Sequence, residues 1–152
     1  MFDQLPAPTH RPVDSSQLMS LIGPLDAASD GGQLTAAQIE AVAAEVGVDS
    51  ALAYMAMGMY PMLQVKREHP TCFTVCSGRC QFWGSHDLIV ELLRRKAERL
   101  GAGKGAFDVM AQGCLDQCNS PVAMRFNGPA GQGVLPGANS ELLDAVIAEL
   151  CD

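Results

Sequence analysis

Cysteine is the residue type through which this chain could carry out chemistry. The sequence of 152 residues contains six cysteines, and five of them repeat with three residues between neighbours in each group. They form a first group, a second group and a single residue near the end: Cys72, Cys76 and Cys80; Cys114 and Cys118; and Cys151. Four thiolates that converge on one point can hold a 2Fe–2S cluster, a 4Fe–4S cluster or zinc. A metal centre is therefore the first hypothesis.

The spacing favours iron–sulfur ligation over the other uses of cysteine, without excluding them. Structural zinc sites more often use the tighter C-x2-C arrangement. The cysteine spacings of plant-type and bacterial ferredoxins do not occur, and neither does the C-x-x-C motif of thiol–disulfide exchange. Zinc, or no metal at all, remains an alternative to an iron–sulfur cluster at this stage.

Composition limits the class of protein to which these cysteines belong. Hydrophobic residues make up 48% of the chain and charged residues 18%, which excludes an intrinsically disordered protein. The formal net charge of −7 argues against a nucleic-acid binder. The N-terminus does not resemble a signal peptide, and no apolar run reaches the ~18 residues of a membrane span. We therefore expect a cytoplasmic protein without direct membrane insertion, whose cysteines stay reduced.

The residues before the first cysteine predict a flexible arm followed by helices. Residues 1–14 are rich in proline and polar residues and predict the arm, whereas residues 15–65 predict a helical bundle. Helical spacing of apolar residues begins at residue 15. Thr35 and Gln38 form a capping box, Gly47 ends that helix, and Asp49 caps another helix that ends near Pro61.

Residues 66–152 predict a small α/β domain in which the cysteines lie between regular elements. Both main cysteine pairs fall where irregular backbone is expected, and turn-type residues such as Gly78 and Gly113 lie beside them. The predicted order is β-α-β-β-β-α, which resembles thioredoxin. The predicted elements are a strand at 71–75, a helix at 86–100 capped by Ser85, strands at 106–110 and 121–126, a turn at Asn127-Gly128, a return strand at 132–135, and a last helix capped by Ser140.

Three stretches in this order resemble the NADH dehydrogenase 24-kDa subunit family. The first is residues 43–48 (AAEVGV), followed by Tyr54 and residues 59–63 (MYPML). The second is residues 73–84 (FTVCSGRCQFWG), and the third is residues 114–124 (CLDQCNSPVAM). The resemblance covers about residues 15–150, and the combined order is more specific than any single motif.

The resemblance implies a fold and a function. The implied fold is a helical bundle followed by a thioredoxin-like 2Fe–2S ferredoxin domain. The implied function is electron transfer beside a flavin- and NADH-binding subunit, with further iron–sulfur subunits, in a respiratory NADH dehydrogenase, formate dehydrogenase or hydrogenase. FMN and NAD would then bind to the partner subunit. Gln81, directly after the second cysteine, is slightly closer to the formate dehydrogenase gamma type.

The ligands follow from the resemblance residue by residue. Cys76, Cys80, Cys114 and Cys118 match the two cysteine pairs of the family. The first pair is C-x3-C here, where the family has C-x4-C, and Asp116 stands where the family usually has glycine. Cys72 could replace one ligand, but it falls on a strand residue of the family, about 13 Å upstream of Cys76 at ~3.3 Å per residue.

The remaining candidate residues have simpler interpretations. Cys151 is expected to be a thiol without a role, and the methionines between residues 55 and 62 to be core or interface packing. The histidines are expected to be solvated or capping, and the basic residues 94–96 and 99 to form a solvated helix face. No nucleotide-binding or hydrolase motif occurs, so we expect no complete active site on this chain. A zinc-bound or cluster-free scaffold subunit, or a free-standing thioredoxin-like ferredoxin, remains an alternative.

Overall fold

The structure, a computed structural model, describes residues 7–113, 122–135 and 137–152. Within these ranges the chain mixes helices and strands, so the general α/β class predicted from the sequence is confirmed. The helices are α1 (Ser15–Ala28), α2 (Ala36–Val46), α3 (Ser50–Met59), α4 (Ser85–Gly101) and α5 (Ser140–Cys151), with a 3-10 helix at Arg79–Trp83. The strands are β1 (Gln33–Leu34), β2 (Gln64–Val65), β3 (Cys72–Cys76), β4 (Asp108–Gln112), β5 (Met124–Gly128) and β6 (Gly131–Leu135).

The main sheet has four strands in the order β4-β3-β5-β6. β3 runs parallel to β4 and antiparallel to β5, and β5 pairs antiparallel with β6. In the parallel pair Cys72 lies opposite Asp108, and Cys76 lies opposite Gln112. The carboxyl ends of β3 and β4 therefore meet at one edge of the sheet, which is where the first cysteine group ends.

The N-terminal helices pack on the sheet through one continuous hydrophobic core. Buried side chains of α1 to α3 and of the sheet belong to the same apolar cluster. Gly58 on α3 lies so close to β4 that a Cβ atom there would be 2.7 Å from the carbonyl oxygen of Ala111. A side chain at this position would push the helix away from the strand, so glycine sets how closely they pack.

Local signals at the helix ends were predicted well, with two exceptions. The capping box of Thr35 with Gln38, the cap at Asp49 and the left-handed end at Gly47 are all confirmed. Ser85 is not a cap: Gly84 takes that position with φ of 99°, and the Ser85 hydroxyl is buried without a hydrogen-bond partner among the described residues. Asn139, rather than Ser140, caps α5 with its side chain.

The predicted hairpin turn is displaced by two residues. Asn127 and Gly128 are the last residues of β5, and Gly128 pairs with Gly131. The turn consists of residues 129 and 130. The prediction was wrong because Asn-Gly is only a local preference, whereas the register follows from packing Met124 against the core.

The basic residues of α4 do not all face solvent as expected. Arg95 and Lys96 are buried, with 8% and 6% of their surface exposed. Arg95 donates through Nε to Oδ1 of Asp144 at 2.8 Å and through Nη2 to the carbonyl oxygen of Ser140 at 3.1 Å. It also pairs with Glu91 at 2.6 Å on its own helix. Arg95 therefore joins α4 to the start of α5.

This ion pair predicts a specific loss of stability in acid. The hydrogen bond from Arg95 lowers the pKa of Asp144 below its ordinary value, so its stabilising effect is full above that value and is lost as the pH falls through the lowered pKa. We expect Arg95→Met to lower the stability at pH 7 and to make its decline below about pH 4 shallower. Urea unfolding at a series of pH values measures both effects.

Arg94→Met is the matched control for this prediction. The ion pairs of Arg94 with other described residues lie within α4, with Glu91 at 2.6 Å and Glu98 at 2.7 Å, and its side chain is 53% exposed. Exposed pairs of this kind contribute little to stability. Equal effects of the two substitutions at every pH would contradict a special role of Arg95.

Within the described ranges, no helix is long and apolar enough to cross a membrane.

Candidate metal centre

Two of the predicted ligands lie together at the carboxyl edge of the main sheet. Cys76 is the last residue of β3, and Cys80 lies in the 3-10 helix that follows. Both are buried, with 2% and 1% of their surface exposed. The backbone N–H of Cys76 donates to the carbonyl oxygen of Ala123 at 3.0 Å. The next N–H, that of Ser77, donates to the carbonyl oxygen of Gln112 at 2.7 Å. The end of β4 and the residue before β5 therefore hold this turn on both sides.

The other two predicted ligands, Cys114 and Cys118, lie outside the described residues. The described chain stops at Gly113, one residue beyond β4, and resumes at Val122, two residues before β5. Gln112 and Ala123, near these two points, are the residues whose carbonyl oxygens accept from the Cys76 turn. The described residues that precede Cys114 and follow Cys118 therefore lie at the same sheet edge as the first cysteine pair.

Cys72 and Cys151 lie away from this edge. Cys72 begins β3 and lies opposite Asp108, the first residue of β4. Cys151 is the last residue of α5, and its carbonyl oxygen lies beside Gly105, before β4 begins. Burial raises the pKa of both thiols above the ordinary value.

The two described ligand candidates, Cys76 and Cys80, are of a chemical type that binds metals as thiolates. Cys72, Cys76, Cys80 and Cys151 are thiols rather than disulfides. Among the described residues, no group of three or more cysteine, histidine or acidic side chains converges on one point. Two buried sulfur donors are chemically suited to iron or zinc, and both metals would need further ligands.

A hydrogen-bonded residue, Gln81, holds the turn between the two cysteines. Its Nε2 donates to the carbonyl oxygen of Ser77 at 2.6 Å, and its Oε1 accepts from the backbone N–H of Val13 at 2.8 Å. The amide of one side chain thus joins the residue after Cys76 to the N-terminal segment. This interaction orients the 3-10 helix that carries Cys80.

The N-terminal segment lies across this 3-10 helix. The backbone N–H groups of Thr9 and His10 both donate to the carbonyl oxygen of Phe82, at 2.9 and 3.0 Å. Nε2 of His10 lies 2.9 Å from Oδ2 of Asp87 in the first turn of α4. A Cβ atom at Gly84 would lie 3.0 Å from the His10 ring, so glycine lets the ring approach the backbone.

Aromatic residues flank the candidate ligands. The rings of Phe82 and Trp83 meet edge to face with centroids 6.2 Å apart. Phe82 is 38% exposed, whereas Trp83 is half-buried against the hydrophobic core. The methionines near this region also differ in exposure: Met55 and Met57 are buried in the core, and Met59 and Met62 are exposed.

Sequence reasoning did not find the residues that hold the cysteine turn. The sequence distinguishes Gln81 only by its place after Cys80, and it predicts that His10 is solvated or capping. The bonded partners are separated by 68 residues for Val13 with Gln81 and by 77 residues for His10 with Asp87. No local pattern encodes contacts of this separation, so only the fold shows them.

No protein-family model matches this chain, and no curated protein is significantly similar to it.

Proposed function

We propose that this chain is an electron-transfer subunit that carries one 2Fe–2S cluster on Cys76, Cys80, Cys114 and Cys118. It would act beside a flavin- and NADH-binding subunit and further iron–sulfur subunits in a cytoplasmic NAD-dependent oxidoreductase. The observation that carries this proposal is the burial of Cys76, at the end of β3, and of Cys80, in the 3-10 helix that follows. The described residues that precede and follow the second cysteine pair lie at the same edge of the sheet.

Chain connectivity supports the choice of these four ligands. Cys76 is paired with Gln112 across the parallel strands, and neighbouring strands lie about 4.8 Å apart. Cys114 follows Gln112 by two residues, and two residues span at most about 7 Å. The described chain that leads to Cys114 therefore ends at the sheet edge of Cys76, whereas Cys72 lies at the other end of β3.

The topology supports the finer proposal of a thioredoxin-like ferredoxin domain. From β3 to α5 the element order is β-α-β-β-β-α, with a central strand parallel to one neighbour and antiparallel to the other. This order is the one expected for the proposed domain. The helices α1 to α3 correspond to the helical bundle that the resemblance implies.

A 2Fe–2S cluster supplies one-electron transfer, and the protein supplies everything else. This chain contributes thiolates, burial and hydrogen bonds around the ligands, which are the means by which a protein sets the reduction potential. Phe82, two residues after Cys80, has an exposed side chain that a partner subunit would contact in this proposal. Hydride transfer from NADH belongs to that partner.

The test is metal analysis of the full chain purified without oxygen. We expect a red-brown protein with about two iron atoms and two acid-labile sulfides per chain, and a rhombic electron paramagnetic resonance signal after reduction. One bound zinc in a colourless protein would favour a scaffold subunit instead. A protein with neither metal would contradict any cofactor role for these cysteines.

Copurification tests the second half of the proposal, the partner. The tagged chain isolated from its own cells is expected to bring a flavin-containing protein that oxidises NADH or reduces NAD. A cluster-bearing chain isolated alone, and still monomeric or dimeric, would instead identify a free-standing ferredoxin.

A further inference from the structure

The N-terminal segment is hydrogen-bonded to the cysteine turn. Residues 9–13, which we call the strap, contribute two backbone donors to Phe82 and one to Gln81. The strap is also attached to α4 through His10 and Asp87. It is joined directly to α1, because the side chain of Asp14 caps that helix. The strap therefore links α1 to the 3-10 helix and to α4.

Gln81 transmits this attachment to the residues that flank the candidate ligands. Its amide accepts from the strap with one end and donates to the carbonyl oxygen of Ser77 with the other. Ser77 follows Cys76, and Gln81 follows Cys80. A single side chain thus joins the residue that follows Cys76 to the residue that follows Cys80, and its other hydrogen bond is to the strap.

We propose that the strap and Gln81 position the Cys76–Cys80 turn and limit the access of water and reagents to Cys80. Gln81 is a positioning residue: it acts on the ligands through the backbone of the turn and does not ligate the metal itself. One consequence rests on the proposed function: a cluster that water does not reach would have a lower reduction potential. The protection of the thiol itself does not depend on any metal.

The structure offers substitutions that separate the two hydrogen bonds. Gln81→Met keeps the length of the side chain and removes both bonds. Gln81→Glu keeps the acceptor for the Val13 N–H but replaces the donor to Ser77 with a repelling oxygen. His10→Gln loosens the strap at Asp87, and Arg11→Gln is its matched control because the Arg11 side chain is exposed in the same segment.

The first experiment measures the alkylation rate of each cysteine in the metal-free full chain under reducing conditions. Iodoacetamide is the probe, and peptide mass spectrometry separates Cys80 from Cys151, which serves as the internal reference. We expect Gln81→Met to raise the Cys80 rate roughly tenfold relative to Cys151, since two hydrogen bonds that oppose local opening are lost. His10→Gln is expected to raise it less, and Arg11→Gln to leave it unchanged.

The pattern among these variants decides the inference. An unchanged Cys80 rate in Gln81→Met would overturn it. If Gln81→Met instead raises the alkylation rate of every cysteine equally, the protein has loosened as a whole. The comparison of His10→Gln with Arg11→Gln then decides, and equal Cys80 rates in these two variants would reject a protective role of the strap. A selective increase in His10→Gln supports it.

The second experiment uses the iron-loaded protein and measures the reduction potential. Water at the site stabilises the more negatively charged reduced state, so Gln81→Met and His10→Gln are expected to raise the potential while Arg11→Gln leaves it unchanged. A chain that binds no iron but still protects Cys80 would refute the proposed function and retain the strap. An iron-loaded chain whose variants alter neither Cys80 alkylation nor potential would retain the function and refute the strap.

Discussion

Cys80→Ser is expected to abolish cluster binding, reducing the iron content from about two atoms per chain to nearly none. The substitution removes one of the four proposed thiolate ligands, and Cys80 lies in a buried turn in which it is 1% exposed. A hydroxyl at this position is a weaker ligand, and the hydrogen bond from Gln81 to Ser77 holds the turn in place. Iron and sulfide analysis, together with the visible spectrum, measures the loss.

Cys72→Ser is the control for this substitution, because it makes the same chemical change at a thiol that is also buried, with 3% exposure. Cys72 starts β3, opposite Asp108, and lies about 13 Å from Cys76 along the extended strand. We expect this variant to be less stable but to keep its cluster. Loss of the cluster with Cys72→Ser and its retention with Cys80→Ser would show that Cys72, and not Cys80, is the ligand.

Asp108→Ala is expected to cost about 3 kcal/mol of unfolding free energy. The Asp108 carboxylate is 1% exposed and accepts from the backbone N–H groups of Glu68 and His69, both at 3.0 Å. It also pairs with Nε of Arg67 at 3.3 Å. Alanine would leave these donors without an acceptor and detach the segment before β3 from β4. Thermal unfolding is expected at a midpoint about 10 °C lower.

Two further substitutions test whether the hydrogen bonds of Asp108 cause this effect. Asp108→Asn keeps one acceptor of the same shape and is expected to lose less stability than Asp108→Ala. Asp26→Ala removes a carboxylate from the exposed surface of α1 and is expected to change the stability by less than about 0.5 kcal/mol. If Asp108→Ala were no worse than Asp26→Ala, the buried carboxylate would not anchor the segment.

Several elements could be predicted because their signals lie within a few residues. The capping box of Thr35 with Gln38 and the cap at Asp49 are satisfied by donors three residues away. The strand that enters Cys76 was predicted at 71–75 and is observed at Cys72–Cys76. A signal of this kind depends on backbone geometry near the residue itself, so it survives in almost any tertiary context.

Other features could not be predicted because contacts between distant parts of the chain override the local preference. Asn127-Gly128 has the strongest local preference for a turn, yet the cross-strand register places both residues in β5. Arg95 resembles its neighbours Arg94 and Arg99 in the sequence, and only the packing of α5 makes it a buried link. Asp108 falls in a short apolar strand in which a buried carboxylate has no sequence signal.

The sequence by itself determined the chemistry available to this protein: a set of thiols with matching C-x3-C spacing, in an acidic chain whose apolar content is sufficient for a core. Residue type and spacing are covalent properties, so they hold before folding. Only the tertiary structure decided which thiols share an edge of the sheet. The parallel register brings Gln112 beside Cys76 and leaves Cys72 at the opposite end of β3. Strand pairing and the strap depend on contacts between residues far apart in the chain, where the free energy of packing outweighs local preference.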